Sequence, residues 1–232
     1  MARPVHLLCA GAAKGLVLAL QGEFERSRDA ELVSSFGAVG ALREQLDAGA
    51  PCEAIVLTRT LIDSLAREGR VDAASVRDLG AVDTGVAVLH AAPAAVVSDT
   101  DALQSLLQRA SAIYVPDPQR ATAGIHALRV LRELGQAQPE RLRAHPNGAA
   151  AMAALARDGD PLAVGITQVS EILYTPGLRL LGALPSPFAL ATLYSAAVVR
   201  GTAQPEAAAD LLALLAAPAQ AATRRRCGFE PV

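Results

Sequence analysis

Lysine is nearly absent from this sequence of 232 residues. Of the 21 basic residues only Lys14 is a lysine and the other 20 are arginines, while 23 acidic residues bring the formal net charge to −2. This balance argues against a protein that follows nucleic-acid phosphates, because such a protein carries a basic stripe. A GC-rich genome would explain the arginine bias, but not why position 14 keeps a lysine.

Other shortages narrow the class further. The chain has no tryptophan and three cysteines, Cys9, Cys52 and Cys227, which form no CxxC pair. We therefore expect neither a metal site nor a disulfide framework, with a single bridge left open, and we interpret Cys9 and Cys52 as small buried hydrophobes. No run of about 18 apolar residues is present, so membrane insertion is not expected.

The N-terminus bears on localisation. One early positive charge precedes an apolar stretch, but Gly11 and Lys14 interrupt that stretch and no convincing cleavage site follows it. We interpret residues 5–9 as a strand of the fold. The expected location is the periplasm if a signal peptide has been removed, and the cytoplasm otherwise.

Strands and helices alternate along the whole chain, which predicts an α/β fold. Two extended segments, residues 84–91 and 184–199, stand where a flexible linker would otherwise separate two halves. They predict a discontinuous first lobe (residues 1–84 plus 191–232) and an inserted second lobe (residues 85–190). Each lobe is expected to be a mostly parallel sheet flanked by helices, with the ligand bound in the cleft between the lobes.

Four strand-to-helix turns carry small residues. In parallel sheets, ligands bind at the carboxyl ends of strands, beside helix N-termini that offer free N–H groups. The turns are residues 10–15, 34–40, 58–60 and 117–125. Together they predict an anion-binding cradle, although Gly, Ser and Thr are also what turns and helix caps require.

The order of these segments resembles the molybdate-binding proteins, a group of type II periplasmic solute-binding proteins. The matching segments are Cys9-Ala-Gly-Ala-Ala-Lys-Gly-Leu16, Phe24-Glu25, Ser35-Phe-Gly-Ala-Val-Gly-Ala-Leu42, Gly49-Ala-Pro-Cys-Glu-Ala-Ile-Val56, Pro116-Asp-Pro118, Thr122-Ala-Gly-Ile125, Gly165-Ile-Thr-Gln-Val-Ser-Glu-Ile172, Leu181-Gly-Ala-Leu-Pro185 and Gly228-Phe-Glu-Pro231. The resemblance covers essentially the whole chain and implies a two-lobed periplasmic-binding-protein fold. It also implies a small anionic ligand and, if the protein is exported, an ABC transporter permease as partner.

The departures from that family bear on the ligand. Where molybdate binders offer hydroxyl groups from the first and second turns, this chain has Ala13 and Val39. A buried dianion needs several donors, so molybdate or tungstate is the weaker alternative here. Lys14, Arg59 and Arg120 instead suit a di- or tricarboxylate, although either arginine is equally well read as a solvated loop residue. The predicted ligand-binding residues are Ala13, Lys14, Phe36, Gly37, Ala38, Val39, Arg59, Arg120, Thr122, Ala123, Gly124, Gln168 and Tyr194.

A carboxylate ligand leaves two main functions open. The first is a substrate-binding protein that captures the acid, with no cofactor. The second follows from a similarity of residues 168–185 to the subgroup that includes aconitate isomerase, which implies proton transfer between the cis and trans forms of a tricarboxylate. His126, Glu171 and Tyr194 are the candidate proton carriers, and each is also explained as a packing or helix-face residue. A third reading is a cytoplasmic ligand sensor on the same scaffold.

Overall fold

The computed structural model describes residues 4–232, which divide into two compact units. Unit 1 contains the residues up to Ala81 together with Leu193–Val232, and unit 2 contains Val82–Thr192. The chain passes between the units twice, at residues 81–82 and 192–193. The sequence places these passages at residues 84–85 and 190–191.

Strands and helices alternate through both units. In chain order the elements are β1 (Val5–Ala10), α1 (Lys14–Arg28), β2 (Leu32–Gly37), α2 (Val39–Asp47), β3 (Ala54–Thr58), α3 (Arg59–Arg67), β4 (Arg77–Leu89), α4 (Thr100–Arg109), β5 (Ile113–Pro116), α5 (Thr122–Glu133), β6 (Leu142–His145), α6 (Gly148–Asp158), β7 (Val164–Gln168), α7 (Val169–Tyr174), β8 (Leu178–Ala183), β9 (Ala191–Val198), α8 (Pro205–Ala216) and α9 (Ala221–Arg226). The α/β fold class predicted from the sequence is confirmed.

The sheet of unit 1 has the strand order β2-β1-β3-β9. β1 pairs in parallel with β2 and β3, and β9 runs antiparallel to β3. All five residues of β3 are buried, as expected for an apolar strand in the middle of a helix-covered sheet. The parallel pairing places the carboxyl ends of β1, β2 and β3 at the same edge of the sheet.

Unit 2 has a second sheet of the same design. Its order is β8-β4-β7-β5-β6, with β5 parallel to both β6 and β7, while β4 runs antiparallel to β7 and β8. The central strand β7 is again buried at all five positions. The carboxyl ends of β5, β6 and β7 therefore meet at one edge.

The sheets are more mixed than the sequence predicts. Each parallel core is extended by antiparallel strands, and β4 begins at Arg77, seven residues before the predicted start at Thr84. The sequence analysis also misses β6, because the Leu-Arg-Ala-His sequence of this edge strand lacks an apolar run. Both differences concern strands that pair with distant parts of the chain.

The three cysteines are free thiols, so the single bridge left open by the sequence does not form. Cys9 and Cys52 are buried, which confirms that they act as small hydrophobes. Burial raises the pKa of both thiols.

Within residues 4–232, no helix combines the length and the apolar character needed to cross a lipid bilayer.

Candidate functional site

Three predicted turns of unit 1 lie together at the carboxyl ends of β1, β2 and β3, which we call the unit 1 edge (residues 10–14, 36–39 and 58–59). Ala10 is the register partner of Gly37, so the ends of β1 and β2 are level. Helices α1, α2 and α3 begin within a few residues of these strand ends. Their N-termini therefore open onto the same edge, as the sequence predicts.

Lys14 connects the first and second turns. It is the first residue of α1, and its Nζ lies 5.6 Å from the centroid of the Phe36 ring. An ammonium at this distance over an aromatic face is attracted by the ring quadrupole. The only lysine of the sequence is therefore held at the unit 1 edge.

Arg59, the other predicted cation of this edge, has partners that the sequence does not indicate. Its Nε donates to Asp63 at 2.8 Å, and its Nη1 donates to both carboxylate oxygens of Asp78 at 2.9 and 3.0 Å. Ser195 also donates to Asp78, at 2.6 Å. The two carboxylates raise the pKa of Arg59 and neutralise its charge. We therefore leave Arg59 out of the proposed ligand contacts.

Tyr194 lies next to the unit 1 edge. It is the register partner of Thr58, the last residue of β3, and it is almost completely buried. Its ring packs edge to face on Phe229, with the ring centroids 6.2 Å apart. This contact supports the packing alternative for Tyr194 over a role as proton carrier.

The corresponding unit 2 edge is formed by the carboxyl ends of β5, β6 and β7 and the turns that follow them. Asp117 shapes the first turn, since its Oδ1 accepts from the backbone N–H groups of Gln119 and Arg120 at 2.7 and 3.1 Å. Arg120 is exposed on this turn, and Thr122 begins α5. Ala123 is buried in the first turn of that helix. The fourth predicted turn is thus a tight connection that leads directly into a helix N-terminus.

Gly124 is needed here for a reason other than the predicted close approach of a ligand. A Cβ at this position would lie 2.3 Å from the Asp117 carbonyl oxygen and 2.4 Å from that of Pro116. The first turn of α5 is packed against the backbone of the turn that precedes it. Gly124 therefore positions the site instead of lining it.

His126 uses both ring nitrogens inside unit 2. Its Nε2 lies 2.7 Å from the Phe188 carbonyl oxygen, which can only accept, so Nε2 carries the proton. Nδ1 lies 3.3 Å from Arg129 Nη2, which donates to it. The buried imidazole is neutral and fully engaged, which favours the packing alternative over proton transfer to a ligand.

Gln168 is the last residue of β7 and the residue before α7, and it is buried. Its Nε2 lies 3.5 Å from Thr192 Oγ1. With the amide turned so that its nitrogen faces acceptors, Nε2 donates to the Val82 and Asp83 carbonyl oxygens at 3.1 and 3.2 Å. Gln168 thus ties the end of β7 to the segment on which the chain enters unit 2.

Glu171 is a buried carboxylic acid in the first turn of α7. Thr167 Oγ1 donates to its Oε2 at 2.5 Å, and the backbone N–H groups of Gln168 and Ala149 also bond to it. Burial nevertheless dominates and raises the pKa of Glu171 to about 7. Its contacts lie within the protein, which supports the helix-face alternative over a role as proton carrier.

The raised pKa of Glu171 predicts that stability falls as pH rises. Its ordinary pKa of 4.5 applies in the unfolded chain, so the folded protein holds the proton more tightly between about pH 4.5 and 7. The free energy of unfolding should therefore be up to about 3 kcal/mol lower at about pH 8 than at about pH 4.5 from this group alone. Urea unfolding across this range measures the effect, and Glu171→Gln should remove this component. An equal pH dependence in the variant would contradict the assignment.

The helices that begin at the two edges share one property. The first N–H groups of a helix have no partner within it and need a cap, a water or a ligand. Among the described residues, the side chains at the N-cap positions of α1, α2, α3, α5 and α7 make no capping hydrogen bond. These N-cap residues are Ala13, Ala38, Thr58, Ala121 and Gln168. By contrast, α4 and α6 are capped by Asp99 and Asn147, at 2.8 and 2.9 Å. Uncapped donors are therefore concentrated at the predicted site.

Val39 begins α2 with its side chain mostly buried, and Ala13 is completely buried. Neither position provides a side-chain hydrogen-bond donor, so backbone N–H groups are the donors that these two turns can offer a ligand. A model of the family described as bacterial extracellular solute-binding protein matches residues 5–230. The chain belongs to this family.

Individual relatives agree with this assignment. This solute-binding protein is 27% identical over 237 residues to an aconitate isomerase from a Pseudomonas species, which covers 97% of this chain and 87% of the relative. It is 26% identical over 201 residues to the molybdate-binding protein ModA of Escherichia coli K12, covering 82% and 76% of the two chains. The periplasmic molybdate-binding protein of Azotobacter vinelandii has the same fold, with a TM-score of 0.80, 18% identity and coverage of 98% and 99%. The resemblance to the molybdate-binding group is confirmed.

Sequence reasoning misses part of the unit 2 edge of this solute-binding protein. Asn147 and Gly148 at the start of α6 lie against the Glu171 carboxylate, yet neither residue is among the predicted site residues. The signal that could have found them is the Asn-Gly pair before an alanine-rich helix, a typical N-cap followed by a small residue. Ala121 is likewise missed, because an alanine before a helix shows its meaning only beside the other uncapped helices.

Proposed function

We propose that this solute-binding protein captures a small organic acid with two or three carboxylates. The observation that carries the proposal is the lack of side-chain caps at the five helices that begin at the two edges. Three of the five N-cap residues, at positions 13, 38 and 121, are alanines, which cannot cap. Their helices leave N–H groups and the positive ends of their dipoles for an anion.

The charge and the missing hydroxyl groups favour a carboxylate over a tetrahedral oxyanion. Lys14 places an ammonium at the unit 1 edge, and Arg120 lies on the turn that begins the unit 2 edge. Charge-assisted hydrogen bonds from such groups to carboxylates are about twice as strong as neutral ones. Ala13 and Val39 supply no side-chain donor to an oxyanion, so molybdate is the weaker ligand in this proposal.

A ligand screen tests this proposal directly. The melting temperature should rise with citrate, trans-aconitate or a dicarboxylate such as succinate, because a ligand that binds only the folded state stabilises it by mass action. Molybdate and sulfate at the same concentration and ionic strength should give a smaller rise. A larger rise with molybdate than with any organic acid would overturn the choice of ligand.

The 27% identity to an aconitate isomerase supports a second candidate, an isomerase of that type. Incubating the protein with trans-aconitate and following the cis form by NMR distinguishes the two functions. Because His126, Glu171 and Tyr194 all have internal contacts, we expect tight binding without turnover. Conversion at a rate proportional to enzyme concentration would establish the isomerase instead.

As a solute-binding protein of this family, the protein is further proposed to act in the periplasm and to deliver its ligand to an ABC transporter permease. The family match over residues 5–230 supports this role. Fractionation of cells that express the natural gene tests the location. Recovery in the cytoplasm alone would favour a ligand sensor over a transport component.

A further inference from the structure

The start of α6 holds an anion that belongs to the protein. This helix has 11 residues, and its first turn directs N–H groups toward the unit 2 edge. The Ala149 N–H bonds to the Glu171 carboxylate, and the Ala150 N–H donates to Asn147 Oδ1 at 2.9 Å. The Ala151 N–H donates to the Asn147 carbonyl oxygen at 3.0 Å. An internal carboxylate therefore occupies a place where an uncapped helix would accept a ligand.

Gly148 makes room for this carboxylate. A Cβ at position 148 would lie 1.7 Å from Glu171 Oε2 and 2.2 Å from Thr167 Oγ1. No side chain fits in that space, since real Cβ atoms essentially never come within 3.0 Å of another heavy atom. The carboxylate and the glycine thus depend on each other.

Glu171 also holds the turn between β7 and α7. It is the third residue of α7, and its carboxylate reaches back to the N–H of Gln168, the N-cap residue. This is one half of a capping box, in which the N-cap side chain would bond the helix in return. Gln168 makes no such bond. Its amide is directed instead to the Val82 and Asp83 carbonyl oxygens, and the first N–H groups of α7 stay uncapped.

One carboxylate therefore joins the end of β7, the first turn of α7 and the start of α6 through Thr167, Gln168 and Ala149. We infer that Glu171 is a positioning residue: it fixes the β7–α7 turn so that this turn can meet the ligand. This inference rests on the proposed function, because it assumes that the unit 2 edge binds an acid. It assigns Glu171 no contact with that acid.

Glu171→Gln tests the inference because it keeps the size of the side chain and one acceptor oxygen but removes the charge. At about pH 8, where the natural carboxyl is mostly ionised, affinity for citrate or trans-aconitate measured by calorimetry should fall at least tenfold. In ligand-free protein, the Ala149 amide proton should shift upfield in the NMR spectrum, because its acceptor is no longer charged. Thr167→Val should weaken binding in the same direction, and Thr167→Ser, which keeps the hydroxyl group, should restore it.

Leu155→Ala serves as the stability-matched control, since Leu155 is a fully buried core residue of α6. This variant should lower the melting temperature and leave affinity within about twofold at temperatures well below melting. If Leu155→Ala weakens binding as much as Glu171→Gln does, the role of Glu171 is only structural and the inference is wrong. An unchanged Ala149 resonance and affinity in Glu171→Gln would also overturn it.

Failure of the proposed function has a different signature. If the natural protein binds no organic acid, calorimetry is silent for every variant and the proposed ligand is wrong. The Ala149 resonance still reports on the carboxylate contact in that case, because it is measured without ligand. A shift in that resonance together with absent binding would support the internal geometry and reject the ligand.

Discussion

Lys14→Ala should weaken the binding of a di- or tricarboxylate at least tenfold, which corresponds to about 1.4 kcal/mol. Lys14 provides a cation at an edge whose other donors are uncapped backbone N–H groups. Its Nζ is held over the Phe36 ring, so the ammonium is already in place before a ligand binds. Titration calorimetry with the best acid from the ligand screen measures the loss.

Two variants separate position from charge. Arg67→Ala removes one positive charge from the exposed far end of α3 and should leave the affinity nearly unchanged, since exposed charges more than about 10 Å away are screened by salt. Lys14→Arg keeps the charge but replaces a compact ammonium with a planar fork, and we expect an intermediate loss. Equal affinities for the natural protein and Lys14→Ala would show that the ligand site lies elsewhere.

Gly124→Ala should destabilise the protein by about 2–3 kcal/mol, a typical cost of overpacking. The new Cβ would overlap the carbonyl oxygens of Pro116 and Asp117 at 2.4 and 2.3 Å, and backbone atoms cannot move aside as a flexible side chain can. The first turn of α5 would have to shift, and with it Thr122 and Ala123. Urea unfolding measures the loss of stability, and weaker ligand binding should accompany it.

Gly22→Ala is the matched control for this substitution. Gly22 lies in the middle of α1, where an added Cβ meets only the end of the flexible Arg26 side chain, at 3.2 Å. Replacing a helical glycine with alanine there should stabilise the protein by about 0.5–1 kcal/mol. The same chemical change is thus expected to have opposite signs at two positions. A Gly124→Ala variant as stable as the natural protein would show that the close packing of α5 is wrong.

Much of the unit 1 edge could be predicted from the sequence because its chemistry is local. Lys14, Phe36 and the alanine at position 38 lie in turns that directly follow apolar strands, and parallel strands bring such turns to one edge. Arg59 could not be assessed in this way. Its partner Asp78 is 19 residues away on another strand, and nothing near Arg59 in the chain announces that contact.

The sequence alone was enough to determine the alternation of strands and helices, the family and the place of the turns, because each depends on short-range periodicity and residue order. Only the tertiary structure decided which polar groups are already used inside the protein. His126 meets a carbonyl group 62 residues away, and Glu171 occupies the start of α6 beside Gly148. Such contacts depend on the packing of elements that are distant in the chain. By the same reasoning, the lone lysine became a ligand candidate only when the structure placed its ammonium beside uncapped helices.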